Sequence, residues 1–220
     1  MAPLPPLWWL KEVPIRLETF VNAHHSIRQT VTRPRGVAPY SDGTARQHGN
    51  QGGVFALPNQ FAKSIVWRTK ENATVLELIS LSGKDNTPTS PISFHFHAPI
   101  LAGIHFAPWT QQEGVSVTLM TVDSVVYRLL IKDLAQFSSK DPPKYSSAQQ
   151  VKWTTHCTPI AIKYLGDRQA AVASLDGSLF LIKSPLLAED SNLSGTVDME
   201  SFLLLPKCTL SAYTSQWLTR

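Results

Sequence analysis

The sequence predicts an all-β protein, an incomplete β-propeller of about three to four blades of antiparallel strands, and three observations predict it. Residues 115–131 read VSVTLMTVDSVVYRLLI: two runs rich in β-branched and aromatic residues, broken by the short polar turn Asp123-Ser124. That is the pattern of an antiparallel hairpin. It occurs twice more. Upstream, Ser64-Ile65-Val66-Trp67-Arg68 leads through Glu71-Asn72 into the run 75–81, and downstream 170–175 leads through Asp176-Gly177, the strongest hairpin signal in the chain, into 178–182. The turns near Asn72, Asp123 and Asp176 are spaced by roughly 50 residues, within the range of propeller repeats.

Residues 1–53 read as an N-terminal strand followed by a basic, flexible loop. Val13, Ile15 and Leu17 alternate with Pro14, Arg16 and Glu18. This suggests an edge strand, because Pro14 cannot donate to a ladder. Residues 28–53 carry Arg28, Arg33, Arg35 and Arg46 and end in Gly49-Asn50-Gln51-Gly52-Gly53. A surface insertion explains that composition, with a phosphate-binding arm as the alternative.

Residues 54–220 read as the partial propeller. Strands near 62–69, 74–82 and 91–97 end a first unit. Those near 100–106, 115–121, 124–131 and 150–155 make a second, with a polar insertion near 133–150. Those near 158–164, 170–175, 178–183 and 201–205 make a third, with an acidic loop near 185–200. Such a unit is apolar on both faces and cannot stand alone, so it stacks on its neighbours. A β-sandwich is the alternative architecture. Since closure needs at least about four blades, the chain is expected to be the front part of a longer protein.

With 220 residues, 43% hydrophobic and 16% charged, the chain can bury a core and is too apolar to be disordered. A net charge of +4 permits contact with nucleic acid or anionic membrane, but a solvated surface explains it equally well, and no direct nucleic-acid partner is expected. Two cysteines, Cys157 and Cys208, lack Cys-x-x-Cys spacing, which argues against a disulfide framework and for a reducing compartment. The N-terminus is broken by prolines and makes a poor signal peptide, and no run reaches the length of a membrane span.

Candidate chemistry is sparse. His95 and His97 would project to one face of a strand, with His105 soon after, but no third strong ligand follows at metal spacing. His24-His25 would point to opposite sides if extended, and so would His156-Cys157, which lacks a nucleophile elbow. Asp85, Asp123 and Asp176 sit in turns, and Asp198 and Glu200 lie in a polar connection. Gly83-Lys84 lacks the upstream glycine of a phosphate loop. No catalytic, cofactor-binding or metal-binding residue is expected, no cofactor and no small-molecule substrate, and the chain is not expected to be an enzyme. Trp67, Trp109, Trp153 and Trp217 read as packing aromatics. Residues 201–219 read as an outer strand followed by a loop; a lipid-packing helix is the alternative, interrupted by Pro206.

Ile65-Val66-Trp67-Arg68-Thr69, Leu76-Glu77-Leu78, Ile92-Ser93-Phe94-His95-Phe96 and Pro99-Ile100-Leu101-Ala102-Gly103-Ile104 together resemble the N-terminal region of a large scaffold nucleoporin. This is the short-arm subunit of the Y-shaped outer-ring complex, the family called nucleoporin one-sixty in animals and nucleoporin one-twenty in fungi. Ser124-Val125-Val126-Tyr127-Arg128-Leu129 is similar to that family's variable–Val–His/Tyr–Arg–Leu strand. The resemblance covers residues 61–131 well and 158–220 more loosely. It implies a seven-bladed propeller joined to an α-helical solenoid, of which this chain holds only the first blades. It further implies a structural constituent of the nuclear pore complex at the nuclear envelope, supporting mRNA export and protein import, with other Y-complex nucleoporins as partners and peripheral contact with the curved nuclear membrane. No partner-binding residue carries over, because the family's contacts run mainly through the solenoid and its junction. Two other classes remain: a different propeller-type adaptor, and a propeller glycosidase or carbohydrate binder drawing acids from distant blades.

Overall fold

The computed structural model describes residues 27–34, 48–57, 63–82, 87–88, 91–109, 114–131, 145–153, 157–166, 168–184, 187 and 199–205. Among the described residues, fourteen strands fall into three sheets, an all-β fold in which the pairing is almost wholly antiparallel. The first sheet holds β1 (Ile27–Thr30), β2 (Gly52–Ala56), β3 (Lys63–Lys70), β4 (Val75–Ser82), β5 (Thr87–Pro88) and β6 (Ile92–His95), in the order β1-β6-β4-β3-β2 with β5 on β4. The second is a meander of β7 (His105–Trp109), β8 (Gly114–Met120), β9 (Val125–Ile131) and β10 (Tyr145–Lys152). The third is a meander of β11 (Pro159–Gly166), β12 (Gln169–Ser174), β13 (Leu179–Lys183) and β14 (Glu200–Leu205).

The three predicted hairpins are β3–β4, β8–β9 and β12–β13. Their turns explain themselves chemically. In the second sheet Ser124 N–H donates to the Thr121 carbonyl at 2.9 Å, and Ser124 takes a left-handed φ of 67°. In the third, Gly177 N–H donates to the Ser174 carbonyl at 3.0 Å with φ at 83°. This is the type I turn followed by a left-handed residue that matches strand twist, and Gly177 adopts it without steric cost.

At least four elements differ from the expectation: β2 (Gly52–Ala56) begins inside the run read as a loop and ahead of the first expected strand near 62–69. Ile27–Thr30, inside the stretch read as a loop, pairs in parallel with β6, Arg28 standing opposite Ser93. That partner is about sixty-five residues away, a separation that local periodicity does not report. β10 begins at Tyr145, within the stretch read as an insertion, because a polar segment still supplies backbone ladder groups to β9. The strand expected at 100–106 is instead two isolated bridges, Ile100 to Thr121 and Ala102 to Ala161, with β7 starting only at His105. The expected strand near 13–20, Trp217 and residues 206–219 lie outside the described residues, as do His24, His25, Asp85, His156 and Asp198.

Two apolar clusters form the core, and the second sheet belongs to both. Val115, Val117, Leu119, Val125, Tyr127, Leu129 and Ile131 pack with Ile65, Leu76, Leu78, Ile92 and Phe94 of the first sheet. Met120 and Val126, on the opposite face, pack with Ile162, Ala170, Val172 and Ile182 of the third. Every residue of β8 and β9 is therefore buried. Each fully buried Leu or Val contributes about 1.5–3 kcal/mol.

Gly103 shows how closely the second and third sheets approach. Its φ is +105°, and a Cβ there would lie 1.8 Å from the Ile162 carbonyl oxygen. Ile162 N–H donates to the Ala102 carbonyl at 3.0 Å, so neither strand can retreat without losing the bridge. Gly103→Ala is expected to lower unfolding free energy by about 3 kcal/mol or more, read as a fall in the urea midpoint with unchanged slope.

Candidate interaction surface and the polar latches

Each of the three hairpin turns holds, through one polar side chain, the segment that leads into its own sheet. In the first sheet the Asn72 Oδ1 accepts the His48 N–H at 2.7 Å. In the second, Asp123 Oδ2 meets His97 Nε2 at 2.7 Å and Asp123 Oδ1 accepts the Thr121 hydroxyl at 2.6 Å. The other His97 nitrogen, Nδ1, lies 3.3 Å from the Tyr127 hydroxyl. An ionised carboxylate only accepts, so Nε2 carries the proton and Nδ1 accepts from Tyr127 in the neutral ring. In the third, the Ser174 hydroxyl donates to Asp176 Oδ1, Ser178 N–H donates to the same oxygen at 3.1 Å, and the Cys157 thiol donates to Asp176 Oδ2 at 3.8 Å.

The latches of the second and third sheets are built from matching text. His97-Ala98-Pro99-Ile100 precedes Thr121-Val122-Asp123-Ser124, and Cys157-Thr158-Pro159-Ile160 precedes Ser174-Leu175-Asp176-Gly177. The backbone bonds are similar but offset by one position: Val122 N–H donates to the Pro99 carbonyl at 2.9 Å, and Leu175 N–H to the Thr158 carbonyl, one residue before Pro159, at 2.8 Å. The turn spacing is visible in the sequence, but the paired Pro-Ile segments are the signal that sequence reasoning missed. Chemically, both His97 nitrogens are engaged and Tyr127 and Thr121 are fully buried. The arrangement clamps a loop to a turn.

The three histidines considered as ligands go to different places. His95 ends β6, His97 lies beyond it on Asp123, and the His105 ring stacks on Tyr164 with centroids 5.0 Å apart. Among the described residues no group of three or more His, Cys, Asp or Glu is placed to hold a metal. His95 has its pKa lowered by burial and by the nearby Arg28 and Lys70 charges, against an opposing contribution from Glu71. Burial likewise raises the Tyr164 phenol, whose hydroxyl has no hydrogen-bond partner. Of the basic stretch, Arg28 and Arg33 are exposed, and Arg35 and Arg46 lie outside the described residues. Beside them, Arg68 Nε and Lys70 Nζ both reach the buried Glu77 carboxylate at 2.5 Å. Trp67 packs on Phe106 with centroids 5.5 Å apart, Trp109 is buried, and Trp153 meets Phe180 edge-on at 5.2 Å.

The remaining feature is a surface. On the third sheet Ala170, Val172 and Ile182 turn toward the second sheet and are fully buried, while the alternate residues Ala171, Ala173, Leu179 and Leu181 are only half-buried. Leu181 stands opposite Phe202, which is 46% exposed, and Leu203 and Leu204 beside it are 56% and 47% exposed. Phe202 shares the outer face with Leu181, whereas Leu203, which pairs with Phe180, projects to the other face. No protein-family model matches the chain, and no curated protein matches it.

Two outcomes follow. Removing a clamp partner leaves the facing atom of its part-buried mate without that bond, so His97→Ala or Asp123→Ala is expected to cost about 1–3 kcal/mol in denaturant unfolding, and the double variant less than the sum of the two. For His95, the unfolded ring has the higher pKa and binds more protons, so it contributes instability that appears as pH falls through about 6.5. Stability should rise with pH across that window, and His95→Gln should flatten the slope in urea titrations between pH 5 and 7.

Proposed function

We propose that this chain is a structural, β-propeller-type docking module, and, following the family resemblance, a scaffold constituent of the nuclear pore's Y-shaped outer-ring complex. The observation that carries the docking reading is the burial pattern of the sheets. The second sheet is covered on both faces by its neighbours, whereas the third offers an apolar face with Phe202 exposed beside Leu181. Radially stacked blades have this relation to one another, each buried only by the next. The second and third sheets share a four-stranded meander order and the same turn latch, which supports a repeat of blades. Seven closed blades, the helical solenoid and the contacts with other Y-complex nucleoporins belong to this proposal through the resemblance alone.

Among the described residues, three carboxylates are held in structural contacts. Asp123 and Asp176 are engaged in turn latches on different sheets, and Glu77 is engaged by two cations. A glycosidase needs two acids converging on one sugar, at separations of about 5–9.5 Å.

Nuclear localisation and complex membership are tested together by tagging the protein in cells and isolating nuclear envelopes. Co-fractionation with the outer-ring subunits and rim staining are expected. Recovery in another compartment with a stoichiometric partner that is not a nucleoporin would replace the pore assignment by that of a different adaptor.

A further inference from the structure

The outer edges of the first and third sheets differ. Counted from β2, β7 and β11, the fourth strand of each sheet is β6, β10 and β14. In the first sheet that fourth strand is not the edge. β1 lies beside β6 in parallel, with Ile27, Arg28, Gln29 and Thr30 opposite Ile92, Ser93, Phe94 and His95. Val31 N–H extends this ladder to the His95 carbonyl at 2.9 Å, and Ile92, Ser93 and Phe94 are buried. Among the described residues β14 pairs with β13 alone, and Glu200, Ser201, Phe202, Leu203 and Leu204 are all exposed.

Phe202 and Leu203 look to opposite faces, since Phe202 stands opposite Leu181 and Leu203 opposite Phe180. A sheet laid on the outer face reaches Phe202, whose ring Lys183 already covers at 5.2 Å, and leaves Leu203 in water. The second sheet packs on the side of Phe180, yet Leu203 remains 56% exposed. A neighbour lying alongside β14 meets both side chains at once, because an added strand places its alternate residues on both faces. It also answers the backbone. Every second residue of an edge strand directs its N–H and C=O away from the sheet, and an extended peptide is the ligand that pairs them. The regular part of β14, from Glu200 to Leu203 ahead of the register shift, offers four residues, as many as β1 pairs on β6. The edges at β7, β10 and β11 carry Pro108, Lys152, and Pro159 with Lys163, residue types that discourage pairing; from Ser201 to Leu205 there is none. Two copies meeting through β14 about a twofold axis normal to the sheet would run antiparallel, unlike β1 on β6. We infer that the edge of β14 is a strand-addition site for an extended apolar segment of a partner protein, taken up parallel to β14 and packing side chains on both Phe202 and Leu203. The inference names the kind of partner for the docking reading and rests on that reading.

Fluorescence polarisation with a labelled, end-capped peptide, a short run of valines flanked by lysines, tests it on the whole chain. Saturable binding is expected, with slowed amide exchange at alternate residues of β14. The same peptide N-methylated at every valine has no donors for the ladder and should bind at least about tenfold more weakly. Leu203→Lys, at an exposed position, should weaken binding by a similar factor with an unchanged circular dichroism spectrum. A paramagnetic label on the peptide's N-terminus should broaden the Glu200 amide signal more than that of Leu205, as parallel addition requires. Absence of binding, equal binding of the methylated peptide, or indifference to Leu203→Lys overturns the inference. So does a doubled mass in light scattering that protects β14 without peptide, since the occupant is then a second copy. Stronger broadening at Leu205 overturns the parallel arrangement. Where Leu203→Lys does not fold, the methylated peptide decides. The docking reading fails separately: if Leu181→Glu leaves nuclear-envelope co-fractionation intact, the face around Leu181 is not the docking surface, whatever the peptide does.

Discussion

Burial of the β8–β9 hairpin on both faces is the constraint on which the rest of the molecule depends. Its odd-numbered residues complete the core with the first sheet and its even-numbered residues face the third. Neither neighbour has another apolar surface of comparable size among the described clusters, so the hairpin is the common wall of both cores. A hairpin buried on one face alone is marginal in water, and here the second face supplies the remaining burial. This also explains why polar groups inside the wall are bonded. Arg128, with no exposure at all, donates through Nε to the Ser116 hydroxyl at 3.0 Å, since an unpaired buried cation would cost several kcal/mol.

The latches convert that packing into a defined geometry. A stack of flat sheets can slide or rotate at little cost in apolar area, because hydrophobic burial is not directional. Hydrogen bonds are directional. His97 on Asp123, Cys157 on Asp176 and the His48 backbone on Asn72 each tie the chain entering a sheet to that sheet's central turn. Gln51 extends the system across the first and second sheets: its side-chain nitrogen donates to the Leu101 carbonyl, and its side-chain oxygen accepts Gly103 N–H, both at 3.2 Å. The left-handed run Glu71-Asn72-Ala73 carries a steric cost of about 1–2 kcal/mol per residue and is held by Ile100 N–H on the Ala73 carbonyl at 2.8 Å.

The proposed docking function rests on what this order leaves uncovered. The ion pairs of Arg68 and Lys70 with Glu77 contribute little, because both cations are partly solvated, at 23% and 36% exposure. The free energy still available lies in the apolar face around Leu181 and Phe202, where covering each large side chain is worth about 1.5–3 kcal/mol. Under the docking reading proposed above, this face is what a partner would cover. The docking and pore readings both draw on that one surface.

The sequence by itself determined the hairpins and their turns. Alternating β-branched residues and the Asx turn residues are local signals, and the three turns at Asn72, Asp123 and Asp176 stand where the text places them. It did not determine which face each strand presents. In β8 Val115, Val117 and Leu119 alternate with Ser116 and Thr118, yet every residue of β8 and β9 is buried, so the alternation does not mark a solvent face. Nor could it supply β1, whose partner β6 is remote in sequence, or the separation of His95 from His97, which depends on β6 ending one residue before the chain turns toward Asp123. The open face of the third sheet was decided in three dimensions as well. Ala171, Ala173, Leu179 and Leu181 read as ordinary core residues, and only the position of the neighbouring sheet, packed on the other side, leaves them accessible.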